Sequence, residues 1–140
     1  MDGEPIPASD HVARYVKPSK YVNKVLDWDA LLPRPQDNGE ASYNWLEYFG
    51  NGTPQELIIR LAASLTKLTI SKNGVFATFN VGDAISGMLN AQPHIKLQFI
   101  HTPEPENESH ASMFGLDNLN EAAGKFLKNL CQKFPTMYEM

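Results

Sequence analysis

The sequence predicts an α+β domain in which helices cover a small mixed or antiparallel sheet on one side. Three observations favour this class. Several short segments alternate apolar and polar residues, the run from Thr53 to Glu56 is a strong helix start, and the C-terminal part repeats apolar residues at helical spacing. The chain has 140 residues, 42% hydrophobic and 20% charged, with a net charge of -4. These values are typical of one globular domain and exclude a fibrous or wholly disordered chain.

The two ends of the chain are predicted to lie outside that domain. Residues 1–9 contain Pro5 and Pro7 and are predicted to form a flexible tail. Residues 10–135 are predicted to form the single domain, and residues 136–140 a second, short tail.

The domain is predicted to begin with a strand. Residues 11–16 alternate well enough for a strand, which Pro18 ends because it has no backbone N–H to donate. A turn over residues 17–23 and an irregular connector over residues 25–32 should follow.

Two helices are predicted next. Residues 41–50 are expected to form a short helix that Ser42 caps and Gly50 ends. The second helix starts at Thr53, because Glu56 completes a capping box and Pro54 suits the first helical position. Its apolar residues repeat at helical spacing: Leu57, Ile58, Leu61, Ala62 and Leu65.

The middle of the chain is predicted to be a β-hairpin, a helix and a strand. Alternating residues 67–71 and 75–79 flank an Asn-Gly turn at residues 73–74. Gly82 or Asp83 then caps a helix that Pro93 stops. The strand that follows is indicated by the alternating Ile95, Leu97 and Phe99.

A final amphipathic helix is predicted to pack on the sheet. It begins at a box formed by Asn118 and Glu121, and Phe126 and Leu130 lie at the centre of its apolar stripe. The stripe consists of Leu119, Ala122, Ala123, Phe126, Leu127, Leu130 and Phe134.

Several classes of protein are excluded by composition. No apolar run approaches the roughly 20 residues of a membrane-spanning helix, and the acidic N-terminus does not resemble a secretory signal. Cys131 is the only cysteine, so no internal disulfide or cysteine-based zinc cluster can form. We expect a cytoplasmic protein without a membrane partner, a cofactor or a metal.

The polar segment from His101 to Gly115 is the principal candidate site. It contains two histidines and three glutamates directly after a predicted strand, and two prolines stiffen it. Our leading hypothesis is an interaction module that binds a protein partner or a small polar ligand through this loop. Arg14, Tyr15 and Ser109 are candidate ligand or anion contacts. A purely structural alternative is a surface loop in which His110 and Ser109 hydrogen-bond the local backbone.

We leave open whether the chain is an enzyme, and the alternative hypothesis is that it is one. His101 and His110 would act as acid and base on a phosphate-containing substrate, with Arg14 as the anion clamp. This hydrolase or transferase hypothesis requires both imidazoles to face one cavity. The spacing of the histidines matches no established zinc signature.

A second alternative is weak binding of nucleic acid through residues 11–24. Basic side chains can contact phosphates and tyrosines can stack on bases, although a net charge of -4 opposes the approach of a polyanion. We also leave open whether the chain forms a homo-oligomer. The segment carries Arg14, Lys17, Lys20 and Lys24 together with His11, Tyr15 and Tyr21.

Polar and aromatic residues are concentrated in four separate segments. They are His11-Val12-Ala13-Arg14-Tyr15 with Pro18-Ser19, Asn44-Trp45-Leu46-Glu47-Tyr48-Phe49-Gly50, Phe79-Asn80-Val81-Gly82, and His101 with Pro103-Glu104-Pro105, Ser109-His110-Ala111 and Phe114-Gly115. Together they cover most of residues 10–116 and resemble a small family of uncharacterised bacterial proteins. The resemblance implies a bacterial single-domain protein and no particular reaction.

Overall fold

A six-stranded antiparallel sheet with strand order β6-β7-β4-β1-β5-β8 forms the centre of the computed structural model. The structure describes residues 3–34, 39–65, 70, 73–117 and 120–135. Helices pack on the sheet, so the predicted α+β class is confirmed. The strands are β1 (His11–Val16), β4 (Ala41–Trp45), β5 (Val75–Asn80), β6 (Gln98–His101), β7 (His110–Phe114) and β8 (Gln132–Pro135), and a separate ribbon joins β2 (Tyr21–Val22) to β3 (Val25–Leu26).

In the described part of the chain, three α-helices lie on the two faces of this sheet: α1 (Pro54–Ser64), α2 (Val81–Ala91) and α3 (Glu121–Leu130). Helices α2 and α3 belong to the larger core, together with Val12 and Phe79 of the sheet. Helix α1 packs against Ala13 and Phe76, whose side chains point to the other face. The expectation that helices cover one side is therefore corrected, because neighbouring strand residues are apolar on both faces over β1 and β5.

The starts of the helices follow from their capping residues. Thr53 and Glu56 form both hydrogen bonds of the predicted capping box at α1. Helix α2 starts at Val81 with Asn80 as its cap, two residues before the predicted Gly82. Helix α3 is capped by Asn120, whose Oδ1 accepts the N–H of residue 123; the predicted start at residue 118 lies outside the described residues.

The predicted helix over residues 41–50 is wrong. Residues 41–45 form β4, which pairs with β1 and β7, and residues 46–49 form a 3-10 turn. Tyr43 is fully buried and its hydroxyl donates to the carbonyl of Leu31. Pairing on both edges outweighs the local capping signal of Ser42. Gly50 ends the 3-10 turn at φ 97°, which a side chain would disfavour.

The predicted N-terminal tail is part of the fold from residue 3 onward. The amides of Gly3 and Ile6 donate to the carbonyls of His101 and Phe99, at 2.7 and 2.8 Å, and the Ile6 side chain is buried. The segment thereby extends the sheet beside β6, which needs a partner for its outer edge. Residues 1–2 and 136–140 lie outside the described residues.

The sequence did not predict β7 and β8, nor the ribbon of β2 and β3, which lies in the predicted turn and irregular connector. Residues 110–114 form β7, so the predicted loop at 101–115 is a hairpin whose two ends are strands. Residues 132–135 form β8 beside β5, so Phe134 belongs to the sheet and not to the stripe of α3. The first strand of the predicted hairpin, over residues 67–71, falls outside the described residues except for Ile70, and β5 pairs with β1 and β8.

Most of the apolar stripe of α3 packs against the core as expected, but Ala122 is exposed and Leu119 lies outside the described residues. Leu127 is fully buried, and Phe126 and Leu130 are partly buried against the same core. In the described part of the chain, no helix has the length and apolar character needed to cross a membrane.

Candidate functional site

The polar segments of the sequence converge at one edge of the sheet. Because neighbouring strands are antiparallel, this edge collects the ends of β4, β5 and β6 and the starts of β1 and β7. His11 lies opposite Asn80, and Asn44 lies opposite His110. His101 follows on β6, beside the partner strand β7.

A carboxylate clamp fastens the 3-10 turn after β4 to the start of β1. The two oxygens of Glu47 accept from the backbone N–H and from Nδ1 of His11, both at 2.7 Å. The indole N–H of Trp45 donates to Asp10 at 2.9 Å. Both contacts join segments more than 30 residues apart in the chain, so they fix the shape of this edge.

His101 pins the hairpin between β6 and β7. Its Nε2 lies 2.8 Å from the carbonyl oxygen of Glu108, and since a carbonyl only accepts, this nitrogen carries the proton. The ring packs against the rings of Trp45 and Tyr48, with centroid distances of 5.2 and 5.6 Å. The side chain is buried, and its Nδ1 has no hydrogen-bond partner in the described part of the chain.

His110 belongs to a different cluster on the opposite face of the sheet. Its neighbour Ala111 is the cross-strand partner of His101, so the His110 side chain points the other way. Its Nδ1 lies 2.9 Å from the Thr102 carbonyl and 3.0 Å from the Thr102 hydroxyl. The structure therefore does not bring the two imidazoles to one cavity, which the acid-base hypothesis required.

Only one of the three other candidate residues lies at this edge. Ser109 is buried and its hydroxyl donates to Asn44 at 2.9 Å. The Arg14 guanidinium lies further along the sheet, where it donates to the carbonyl of Leu32 at 3.1 Å and sits over the Tyr43 ring. Tyr15 packs against Phe76 on the α1 face. The sequence therefore placed Arg14 and Tyr15 too close to the candidate site.

The basic segment at residues 11–24 does not form one surface. His11 lies at the start of β1, whereas the lysines follow its end. Lys20 lies 3.1 Å from the carboxylate of Asp29 and 3.9 Å from that of Asp27. These acids neutralise the centre of the segment that the nucleic-acid hypothesis required.

The turn that joins β6 to β7 is ordered and acidic. Glu104 and Asn107 exchange backbone hydrogen bonds of 3.1 and 3.0 Å, so the turn is a small ladder. Glu104, Glu106 and Glu108 are exposed there. The hydroxyl of Tyr48 donates to Glu108 at 3.0 Å, and this hydrogen bond raises the pKa of Tyr48. We call residues 102–109 the acidic turn.

The sequence analysis did not identify the residues that support His110. They are Thr102, Ser112 and Glu40, of which Ser112 follows His110 by two positions on β7. If residues 110–114 had been read as a strand, the alternation of its side chains would have placed His110 and Ser112 on one face. The prolines and glutamates before this segment indicated a loop instead. Glu40 joins the cluster from 72 residues away, and no local pattern indicates that contact.

Neither a metal-binding cluster among the described residues nor a similar known protein identifies the function of this site. Among the described residues, no three histidine, cysteine, aspartate or glutamate side chains are grouped in a way that could hold a metal ion. Comparison with protein-family models, with curated proteins and with solved structures finds nothing similar to this chain.

Proposed function

We propose that this protein is a cytoplasmic bacterial interaction module that binds a positively charged segment of a protein partner through the acidic turn. The observation that carries the proposal is the way this turn is held. Its own backbone ladder closes the tip, and contacts from His101 and Tyr48 fix Glu108 at its base. A turn that only connects two strands does not need these contacts to do so.

A rigid turn suits binding because little conformational freedom is lost when a partner docks. The three exposed glutamates present negative charge, and the prolines at 103 and 105 restrict the backbone that carries them. Lysine or arginine side chains of a partner would complement this charge and speed association at low ionic strength.

A titration with hexalysine tests the proposal, followed by the backbone amide signals of the protein in nuclear magnetic resonance spectra. We expect shifts concentrated at residues 102–109 that disappear in high salt. Glu104→Gln should weaken binding up to about fivefold, because an exposed ion pair contributes about 0.2–1 kcal/mol.

Glu121→Gln is the matched control, since it removes the same charge from the surface of α3, where Glu121 pairs with Lys125. This variant should bind as the parent does. Equal weakening of binding by the two variants would show that only the net charge of the protein matters, which would contradict the proposal. Shifts confined to another surface would contradict the assignment to the acidic turn.

A further inference from the structure

We propose that the positively charged segment bound by the acidic turn is the tip of the β2–β3 ribbon of a second copy of this chain, so that the protein associates with itself head to tail. This inference rests on the proposed function and names its partner. We call residues 22–25 the ribbon tip. The tip combines a strained turn, exposed apolar side chains and positive charge, and its own fold accounts for none of the three.

The backbone at the ribbon tip takes a conformation that favours glycine. Val22 and Val25 are cross-strand partners, and Asn23 and Lys24 between them have φ values of 55° and 62°. A two-residue turn of this kind usually has glycine after asparagine, because a side chain crowds the backbone at positive φ. Lysine at this position costs stability, which indicates a role for its side chain outside the fold.

The two valines of the tip are exposed on one face of the ribbon. Residues directly opposite each other on paired strands point to the same face, so these side chains lie together. Val22 is 56% exposed and Val25 is 52% exposed, the two highest values among the large hydrophobic side chains that the structure describes. Leu26, by contrast, is buried, so the base of the ribbon is fixed while its tip presents an apolar pair to solvent.

Positive charge lies beside this apolar pair. The Lys133 ammonium group is 3.3 Å from the carbonyl oxygen of Lys24 and 5.8 Å from the centre of the Tyr21 ring, so it adds a second cation at the tip. Among the described residues, no carboxylate forms an ion pair with Lys24 or Lys133. The acids of the ribbon instead pair with Lys20, nearer its base. The tip is therefore positively charged.

The acidic turn has the complementary properties. Its three glutamates are exposed, and apolar surface lies beside them on the exposed Pro103 and Pro105 and on the Tyr48 ring, which is 41% exposed. The valine pair of a second copy can cover these rings while its lysines meet the carboxylates. The tip therefore matches the turn in charge and in apolar character.

The positions of the two surfaces make the contact intermolecular. The acidic turn joins β6 to β7 at one side of the sheet, whereas Lys133 connects the ribbon to β8 at the other side. Four strand spacings separate β7 from β8, about 19 Å in all. Each molecule thus carries both surfaces and cannot join its own. Because two different patches meet in every contact, successive copies form a ring or a filament.

Sedimentation velocity at low ionic strength tests the proposal. We expect the average mass of the parent to rise with protein concentration and to return to that of the monomer in high salt, which screens complementary charges. Hexalysine should also dissociate the assembly, since it occupies the acidic turn. A parent that stays monomeric at every concentration would overturn the self-association. Hexalysine shifts at residues 102–109 in that monomer would still support the proposed function, and their absence would contradict it as well.

Two charge reversals test the pairing of the surfaces. Lys24→Glu and Glu104→Lys should each weaken self-association roughly 2- to 30-fold, because each replaces an exposed attractive pair by a repulsive one of similar strength. An equimolar mixture of the two variants should recover association, since the reversed tip of one matches the reversed turn of the other. Lys125→Glu makes the same charge change on the surface of α3 and should associate as the parent does.

The apolar pair and the competing partners complete the test. Val22→Ser combined with Val25→Ser should weaken the association, because these side chains are exposed in the monomer and covered in the contact. Full association of Lys24→Glu, or a mixture as weak as its two components, would contradict the contact. A monomeric parent whose amide signals at residues 22–25 shift with phosphatidylserine vesicles would assign the tip to a membrane surface and overturn the proposal.

Discussion

At the scale of single residues, the Tyr43 hydroxyl connects the centre of the sheet to the connector before β4. The ring is fully buried between the rings of Phe79 and Phe99, and the hydroxyl donates to the carbonyl of Leu31. Burial raises the pKa of Tyr43, despite the opposing effect of the nearby Arg14. Removing this hydroxyl should therefore change both the stability of the fold and the dependence of that stability on pH.

Tyr43→Phe should lower the free energy of unfolding by about 1–3 kcal/mol at pH 7, because the Leu31 carbonyl loses its partner in the interior. Urea denaturation at pH 7 measures the difference. An unchanged midpoint would show that the carbonyl is satisfied by another donor or by water.

The same pair of proteins predicts a pH dependence. Above pH 10, the ordinary value for tyrosine, the unfolded parent releases a proton that the folded state retains, so stability is lost as the pH rises. Tyr43→Phe lacks this contribution, and the stability difference between the two proteins should narrow between pH 9 and 11. A constant difference would contradict the buried position of the hydroxyl.

Residue types alone indicated part of the candidate site. The sequence singled out His101, His110 and Ser109, and the structure places all three at the β6–β7 hairpin. The direction of each side chain depends on strand register, so the sequence could not decide whether the two imidazoles share one site, as the acid-base hypothesis required. The contact of Glu40 with Ser112 depends on tertiary structure alone.

At the scale of elements, two helix glycines set how closely α2 and α3 approach their neighbours. A methyl group at Gly124 would overlap the backbone carbonyl of Trp28, whereas one at Gly87 would meet the outer end of the Phe126 ring. Backbone cannot move aside as a side chain can. The two positions therefore differ in how well they tolerate alanine.

Gly124→Ala should destabilise the protein by about 1–3 kcal/mol, although alanine favours a helix over glycine by about 1 kcal/mol. Gly87→Ala should cost less, since the far end of the Phe126 side chain can shift away as backbone cannot. Asn129→Ala, on the exposed side of α3, is the control and should change stability by less than about 0.5 kcal/mol. Higher denaturation midpoints for Gly124→Ala would contradict the close contact with Trp28.

Asn80 joins a helix start to the N-terminal segment. Its Oδ1 accepts from the N–H of Asp83 at 2.8 Å, and its Nδ2 donates to the carbonyls of Ala8 and Asp10 at 3.0 and 3.2 Å. Asn80→Ala should cost about 0.5–2 kcal/mol for the lost cap and more for the lost amide donor. Asn80→Asp keeps the cap but sets a carboxylate oxygen against the carbonyls of Ala8 and Asp10, so it should remain less stable than the parent; stability equal to the parent would show that Nδ2 contributes nothing.

Elements with a local signal were the ones that the sequence predicted. The capping box at Thr53 and the alternation in β1 depend on residues close together in the chain, and both are confirmed. Strand β4 was taken for a helix because its order derives from β1 and β7, which pair with it from both sides. Propensity within residues 41–50 carries no information about those partners.

At the scale of the whole molecule, the N-terminal segment completes one edge of the fold. Ile6 is 4% exposed, and its amide donates to β6. Ile6→Ala should cost about 2–5 kcal/mol and should speed hydrogen exchange at the His101 amide, which donates to the carbonyl of Glu4. Val22→Ala, at a side chain 56% exposed, is the control; equal effects of the two changes would mean that residues 3–6 do not stabilise the sheet.

The strand order also determines when the protein can fold during its synthesis. Strand β1 leaves the ribosome before the other strands of this sheet, occupies the middle of the sheet and finds its two partners only when β4 and β5 have emerged. The other edge of β5 stays unpaired until residues 132–135, which form β8, have been synthesised. The nascent chain therefore carries unpaired strand edges for most of its elongation, and closing loops of this length slows the search for native pairs. Chaperones that shield exposed β-strands would have their greatest effect in that interval.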